Sequence, residues 1–138
     1  NINIIEHKPF AIYSYNNKNF FFDANGKIID QVKNNYDLDK NLLVFEGNSS
    51  NLNAKSIIHV LQNLNFQKKF KITQLIFINK RRWNIFINNR NKLMLSETDP
   101  KKSLENFIKI EKNLSEAELN NIKIFDLRNT SKTLLEYY

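Results

Sequence analysis

The fold is decided by residues 72–95, which read ITQLIFINKRRWNIFINNRNKLML. This stretch holds three strand-like runs, Ile72 to Ile78, Trp83 to Ile87 and Lys92 to Leu95, rich in β-branched and aromatic residues. Asn88 to Asn91 separate the last two runs and predict a hairpin turn, because asparagine tolerates left-handed backbone conformations. Short turns of this kind join antiparallel strands. The stretch therefore predicts a sheet that is mainly antiparallel.

The residues before this stretch predict more short strands separated by polar turns. Asn16 to Asn19 and Ala24 to Lys27 are the turn segments, and Asn34 to Lys40 form a polar loop without periodicity. The predicted strands are Ile2 to Glu6, Phe10 to Tyr15, Phe20 to Asp23, Ile28-Ile29 and a largely buried run from Leu42 to Gly47.

Amphipathic helices are predicted around the central strands. Apolar residues recur at helical spacing from Asn53 to Phe66, with Ser50 or Asn51 as the cap. Asp99-Pro100 predicts the start of a second helix, and Leu114 to Leu119 a short third one. The remaining predicted strands are Ile122 to Leu127 and Thr133 to Tyr138. The fold class is therefore α+β, a mostly antiparallel sheet with two or three amphipathic helices packed on it.

The composition excludes some chemistry and leaves other classes open. The chain has 138 residues, no cysteine and a net charge of +7, so disulfides and thiolate metal sites are excluded. A basic chain attracts phosphate, anionic lipid or an acidic protein surface. Frequent Asn, Lys and Ile also suggest genomic bias, so only local charge clusters are interpreted as functional. The chain begins with Asn and shows neither a signal peptide nor a long apolar span, which we interpret as a fragment.

The residues required by the standard catalytic sites are missing or scattered. His7 and His59 lie about fifty positions apart, and each is assigned a structural or surface role. Gly26 and Gly47 are isolated, so no glycine-rich loop is available to bind phosphate. The acidic residues form no ligand cluster. We therefore expect no enzyme activity, no cofactor and no metal site.

The densest basic cluster is Lys80-Arg81-Arg82-Trp83, in the turn before a strand. Basic residues beside an aromatic ring occur in single-stranded nucleic-acid sites, where the ring stacks on a base. The same four residues are also compatible with protein recognition. A third interpretation is that Trp83 packs on the sheet above a solvated basic turn. Local pattern alone leaves all three open.

Motifs along nearly the whole chain resemble the β domain of the bacterial cell-division family FtsQ (DivIB). Glu6 to Tyr13 followed by Phe22 to Ile29 resembles the entry to that domain. Further landmarks follow in the family's order: Leu42 to Gly47 before a helix, Arg81-Arg82-Trp83 opening a hairpin, Asp99-Pro100 starting a helix, and Ile124 to Arg128 near the end.

The resemblance implies a non-catalytic scaffold of the divisome that helps to regulate septal peptidoglycan synthesis. Its partners would be FtsB and FtsL and, through them, FtsW and FtsI, with no nucleic acid. The parent protein would be a single-pass protein of the inner membrane with this domain in the periplasm. Residues 1–8 would be the last strand of a preceding POTRA domain, and residues 9–138 the β domain. A POTRA-linked module of another envelope assembly would share the architecture but lack the Arg-Arg-Trp and Asp-Leu-Arg landmarks.

The resemblance also implies where a partner binds. FtsB would add a strand to the edge formed by Ile122–Arg128 and Thr133–Tyr138, with salt bridges to nearby arginines. By motif position these are Arg81, next to Arg82 and Trp83, and Arg128. The other implied contact residues are Asn129, Ser131 and Tyr137. Asn129 stands where members of the family carry an aromatic residue, so we expect the side-chain contacts of this partner to differ.

Overall fold

A computed structural model describes residues 8–33 and 42–138. The predicted first strand, Ile2 to Glu6, and the predicted loop Asn34 to Lys40 lie outside the described residues. So does nearly all of the segment 1–8 that was expected to belong to a preceding domain. That boundary therefore stays a prediction.

The described residues form one sheet with helices on one of its faces. Three α-helices and a 3₁₀ turn, Phe66–Lys68, accompany the strands: α1 Ser50–Asn63, α2 Pro100–Glu111 and α3 Glu116–Asn120. The strands are β1 Ala11–Tyr15, β2 Lys18–Phe22, β3 Ile28–Gln31, β4 Val44–Glu46, β5 Ile72–Ile78, β6 Arg82–Ile87, β7 Asn91–Leu95, β8 Ile122–Leu127 and β9 Leu134–Tyr137.

Strand order along the sheet is β3-β2-β1-β4-β5-β6-β7-β8-β9. The strands joined by short turns pair antiparallel, as predicted. Three pairs are parallel, namely β1 with β4, β4 with β5 and β7 with β8. Parallel neighbours need a long crossover, which α1 supplies between β4 and β5 and α2 with α3 between β7 and β8. The described part of the chain thus confirms an α+β fold with a mostly antiparallel sheet.

Paired residues with positive φ make the tight turns. Asn16 and Asn17 have φ values of 50° and 62°, and Asn88 and Asn89 have 55° and 54°. Two successive left-handed residues match the right-handed twist of the flanking strands, and asparagine occupies this region at low cost. Both predicted turns are confirmed. Asn79 and Lys80 form a third turn of this kind, between β5 and β6.

The helix starts were predicted with mixed success. Asp99 caps α2, since its Oδ1 accepts the Lys102 N–H at 3.0 Å, and Pro100 is the first helical residue. The predicted α1 cap, Ser50 or Asn51, is wrong, because the N-cap is Ser49 in a left-handed conformation without a side-chain cap bond. Asn51 is engaged elsewhere: its Nδ2 donates to the Gly26 carbonyl at 2.7 Å.

Aromatic rings form most of the core between the sheet and the helices. Phe107 of α2 contacts Phe125 of β8 and Phe70, with ring centroids 4.9 Å and 5.1 Å apart. Towards the other end of the sheet, Trp83 packs on Phe45 and Phe77 with centroids 5.6 Å and 4.7 Å apart. This packing orients the start of β6, where Arg82 lies, and the end of β8, which Arg128 follows.

Buried Ser103 joins three elements at the end of the sheet where β6 starts and β8 ends. The Ser103 Oγ accepts the Ser96 N–H at 2.9 Å and donates to the Leu127 carbonyl at 2.7 Å. One hydroxyl thus holds α2 to the ends of β7 and β8.

Ser103→Ala should lower the free energy of unfolding by about 1–3 kcal/mol, because buried polar groups lose their partner. Urea denaturation would measure the change. Ser56→Ala is the matched control, since the Ser56 hydroxyl bonds to the Asn53 carbonyl on the exposed side of α1. We expect the control to cost less than about 0.5 kcal/mol. Equal costs for the two variants would contradict the assigned role of Ser103.

Candidate functional site

Strand β9 is an open edge of the sheet. It pairs with β8 on one side, and within residues 8–33 and 42–138 no strand pairs with its other side. The Tyr138 N–H donates to the Asn121 carbonyl, towards β8. Since peptide groups alternate along an antiparallel strand, the N–H and C=O groups of Leu135 and Tyr137 point away from β8. They are available to an added strand.

Apolar side chains are concentrated on this edge. Leu134 and Tyr137 are 54% and 57% exposed, and Leu135 and Tyr138 are exposed as well. These four account for half of the eight large apolar side chains that are exposed in the described part of the chain. Such a cluster at an unpaired strand is typical of a binding surface.

Three arginines line a cleft of about 540 Å³ at the end of the sheet where β6 starts and β7 and β8 end. Arg82 is the first residue of β6, Arg81 directly precedes it in the turn, and Arg128 directly follows β8. The register of β6, β7 and β8 places Asn84, Met94 and Asp126 in one row across the sheet. Arg82 and Arg128 each lie two residues from that row, towards the cleft, so the fold brings together cations 46 residues apart in sequence.

Two of these arginines are bonded to carboxylates of the chain. The Arg81 Nη2 donates to the Glu97 Oε2 at 3.0 Å, and its Nε donates to the same oxygen at 3.3 Å. This hydrogen bond raises the pKa of Arg81 above its usual value. The Arg128 Nη2 and Nε donate to the two Asp126 oxygens at 2.7 Å and 2.8 Å. The bond from Arg128 lowers the pKa of Asp126, so this carboxylate remains charged in more acidic solution than a free aspartate.

The third arginine has a neutral partner. The Arg82 Nη1 donates to the Oδ1 of buried Asn84 at 2.6 Å. Partial burial lowers the pKa of Arg82 and the charge of Arg128 lowers it further, whereas the charge of the Asp126 carboxylate acts in the opposite direction. An arginine nevertheless stays protonated at physiological pH. Arg82 is therefore a half-buried cation whose guanidinium is held by its hydrogen bond to Asn84.

A family model described as "Cell division protein FtsQ/DivIB, C-terminal" matches residues 11–128, which is most of the chain. The chain belongs to the FtsQ/DivIB family. The "Cell division protein FtsQ" of Rickettsia conorii (strain ATCC VR-613 / Malish 7) is 26% identical over 140 residues. That alignment covers 99% of this chain and 49% of the relative, so the chain spans about half the length of the curated relative it matches. The resemblance inferred from the motifs is confirmed, and family membership gives the domain a role in cell division.

The arginines expected from FtsQ/DivIB motif positions, Arg81 and Arg128, share the cleft, and Arg82 lies there too. Asn129 and Ser131 lie beside it in the β8–β9 turn, where the Asn129 Oδ1 accepts the Ser131 N–H at 2.9 Å. Tyr137 is separate from the cleft, because β9 runs antiparallel to β8 and places it opposite Ile122.

Trp83 differs from the other implied contact residues of this FtsQ/DivIB domain. It is 5% exposed and lies in the core, as the packing interpretation proposed. Its ring is therefore unavailable for stacking on a base, and the nucleic-acid hypothesis loses the aromatic platform it required. Any contribution of Trp83 to binding is through holding the start of β6.

Three residues of the site in this FtsQ/DivIB domain were missed as site members at the sequence level: Asn84, Glu97 and Asp126. Each acts by bonding an arginine: Asn84 and Asp126 lie two residues from Arg82 and Arg128, whereas Glu97 lies 16 residues from Arg81. His59, the histidine within the described residues, is exposed on α1. No metal-binding group of three or more His, Cys, Asp or Glu occurs among the residues that the structure describes. Nor does the described part of the chain contain a helix long and apolar enough to span a bilayer.

Proposed function

We propose that this domain is a non-catalytic divisome scaffold that binds FtsB by strand addition at β9. FtsL is recruited with FtsB, and the complex acts through FtsW and FtsI on septal peptidoglycan synthesis. The parent protein is anchored in the inner membrane, with a POTRA domain and this domain in the periplasm. The observation that carries the proposal is the open, apolar edge of β9 beside a cleft lined by three arginines.

Backbone pairing supplies the first part of the affinity. The outward groups of Leu135 and Tyr137 offer two donors and two acceptors to an added strand. At about 0.5–1.5 kcal/mol net for each bond, four bonds contribute a few kcal/mol. Burial of the exposed apolar side chains of β9 in the complex adds to the affinity.

Charged side chains supply the second part of the affinity and make the binding selective. A second hollow, lined in part by Lys132 and Leu134 at the start of β9, shares Arg128 with the arginine cleft. A segment paired with β9 can therefore continue into the cleft. Acidic side chains on that segment would meet guanidinium groups, whose planar donors suit carboxylates. The resulting complex is moderate in affinity and sensitive to salt.

Arg81→Glu and Arg128→Glu should each weaken binding of the periplasmic segment of FtsB from the same bacterium severalfold. A glutamate at either position repels an acidic segment. It also leaves Glu97, in the first variant, or Asp126, in the second, without its paired cation. Isothermal calorimetry at two salt concentrations would measure the affinities. Lys55→Glu makes the same change of charge on exposed α1 and serves as the control.

Unchanged affinity in both arginine variants would contradict the assigned site. A fluorescence anisotropy titration with single- and double-stranded oligonucleotides, run in the same buffer, tests the alternative function. Oligonucleotide affinity that falls linearly with the logarithm of salt, without any binding of FtsB, would favour a nucleic-acid domain instead.

A further inference from the structure

Arg90 joins the far end of β9 to the rest of the domain. It lies in the turn between β6 and β7, and its carbonyl accepts the hydroxyl of Tyr138, the residue that directly follows β9. The Arg90 guanidinium lies over the Tyr138 ring, with its Cζ 5.7 Å from the ring centroid. The Nε of the same guanidinium donates to the Asn120 carbonyl, at the end of α3, at 2.8 Å. Arg90 therefore links β9, α3 and the β6–β7 turn.

The residue after Arg90 fixes this turn in place. Asn91 is 1% exposed, and its Nδ2 donates to the Leu119 carbonyl at 2.9 Å and to the Ile122 carbonyl at 2.7 Å. The Arg90 N–H donates to the Ile87 carbonyl at 3.0 Å, which closes the turn. The Arg90 carbonyl is thus held rigidly, and a group that bonds to it is held as well.

Strand β9 has little other support at this end. All four of its residues are exposed, so side-chain packing contributes little to holding it. Its pairing with β8 has a register shift between Ile122 and Ile124, opposite Tyr137 and Glu136. A shift of this kind interrupts the ladder of backbone hydrogen bonds. The end of β9 that Arg90 holds is therefore the end that would otherwise detach from β8 first.

We propose that Arg90 is a positioning residue, which holds the end of β9 on β8 through Tyr138 and so keeps this edge ready for strand addition. The inference rests on the proposed strand addition at β9 and names the residue that prepares the edge. The partner strand would pair with the outer side of β9, whereas Arg90 lies on the side that faces β8. Arg90 acts on binding through β9, because a strand already held in its bound position loses less conformational freedom when the partner arrives.

Amide exchange tests the support of β9 without any partner. Arg90→Ala should accelerate exchange of the Glu136 and Tyr138 amides about tenfold, the effect expected from losing a hydrogen bond and a cation–π contact. These two N–H groups point towards β8 and exchange when β9 detaches. The amide of buried Ile85, in the middle of the sheet, should exchange at an unchanged rate. Lys68→Ala is the control, since it removes an exposed cation beside the start of β5, at the same end of the sheet. NMR of the ¹⁵N-labelled domain measures all of these rates.

Further variants separate the parts of the contact, with the Glu136 amide as the reporter. Arg90→Lys keeps a cation for the Tyr138 ring and a donor for the Asn120 carbonyl, so it should restore most of the protection. Tyr138→Phe loses the hydroxyl alone and should accelerate exchange less than Tyr138→Ala does. Once residue 138 is alanine, Arg90→Ala should have little further effect on β9, because both residues act through one contact.

Binding kinetics distinguish positioning from direct contact. Arg90→Ala should slow the association of the FtsB segment severalfold and leave its dissociation rate unchanged, because only molecules with β9 docked on β8 are competent to bind. A residue that contacts the partner would instead change mainly the dissociation rate. Surface plasmon resonance measures both rates, and thermal melts verify that each variant is folded.

The outcomes are distinct. Unchanged exchange of the Glu136 amide in Arg90→Ala would overturn the inference and leave strand addition intact. Faster dissociation with an unchanged association rate would also overturn it. Accelerated exchange in Arg90→Ala, together with no binding of the FtsB segment to the unaltered domain, would overturn the proposed function and support the role of Arg90 in holding β9.

Discussion

Leu135→Pro should lower the affinity for the FtsB segment more than tenfold while leaving the domain folded. The N–H of Leu135 points away from β8, so proline at this position removes no bond of the β8–β9 pair. Proline is tolerated on an edge strand where its missing N–H would face solvent. An added strand, however, loses that donor and meets the ring where its own backbone should lie. Calorimetry and a thermal melt together measure the effect.

Leu135→Thr is the matched control for the proline variant. Threonine keeps the N–H and favours the strand conformation, but it removes the same apolar side chain. The control therefore measures how much affinity comes from the side chain rather than from backbone pairing. If proline and threonine reduce the affinity equally, the partner binds through side chains and does not add a strand.

Phe107→Ala should lower the free energy of unfolding by about 3–5 kcal/mol, because it empties the centre of the aromatic core. Phe107 is fully buried and contacts the rings of Phe66, Phe70 and Phe125. A loss of this size is a large fraction of the stability of a typical domain. Chemical denaturation followed by the fluorescence of Trp83 measures it.

Leu52→Ala is the control for the core variant, since Leu52 is exposed on α1 and its truncation should change stability by less than about 0.5 kcal/mol. Phe107→Leu should fall between the two, because leucine fills part of the space. A cost below about 1 kcal/mol for Phe107→Ala would mean that α2 is not packed on β8 in solution. The end of β8, and with it Arg128, would then lack its support.

Local chemistry made much of the fold predictable. The Asn-Asn turns and the Asp99-Pro100 helix start depend on backbone preferences of a few adjacent residues, and both appear where the sequence indicated. The start of α1 depends on more distant contacts. Asn51 looks like a helix cap, yet its amide bonds to Gly26, 25 residues earlier, and the left-handed Ser49 turns the chain into the helix.

The candidate site was only partly predictable for a similar reason. Motif position identified Arg81 and Arg128, but their proximity depends on β8 lying parallel beside β7 after a crossover through two helices. The pairing of Arg81 with Glu97 is more local, since the antiparallel register of β6 and β7 brings the residue before β6 beside the residues after β7. Trp83 illustrates the opposite case, since an aromatic beside three cations resembles a binding platform until the sheet buries its ring.

The unpaired backbone of β9 also bears on how the domain behaves when it is alone. A sheet with a free edge can be extended, and a second copy of the chain could supply the next strand in place of the proposed partner. Across the described residues, no element covers the outer side of β9, and its exposed apolar side chains favour such pairing. In the proposed complex the partner strand occupies the outer side of β9 and so excludes a second copy of the domain from that position. We therefore expect self-association at β9 and partner binding to compete.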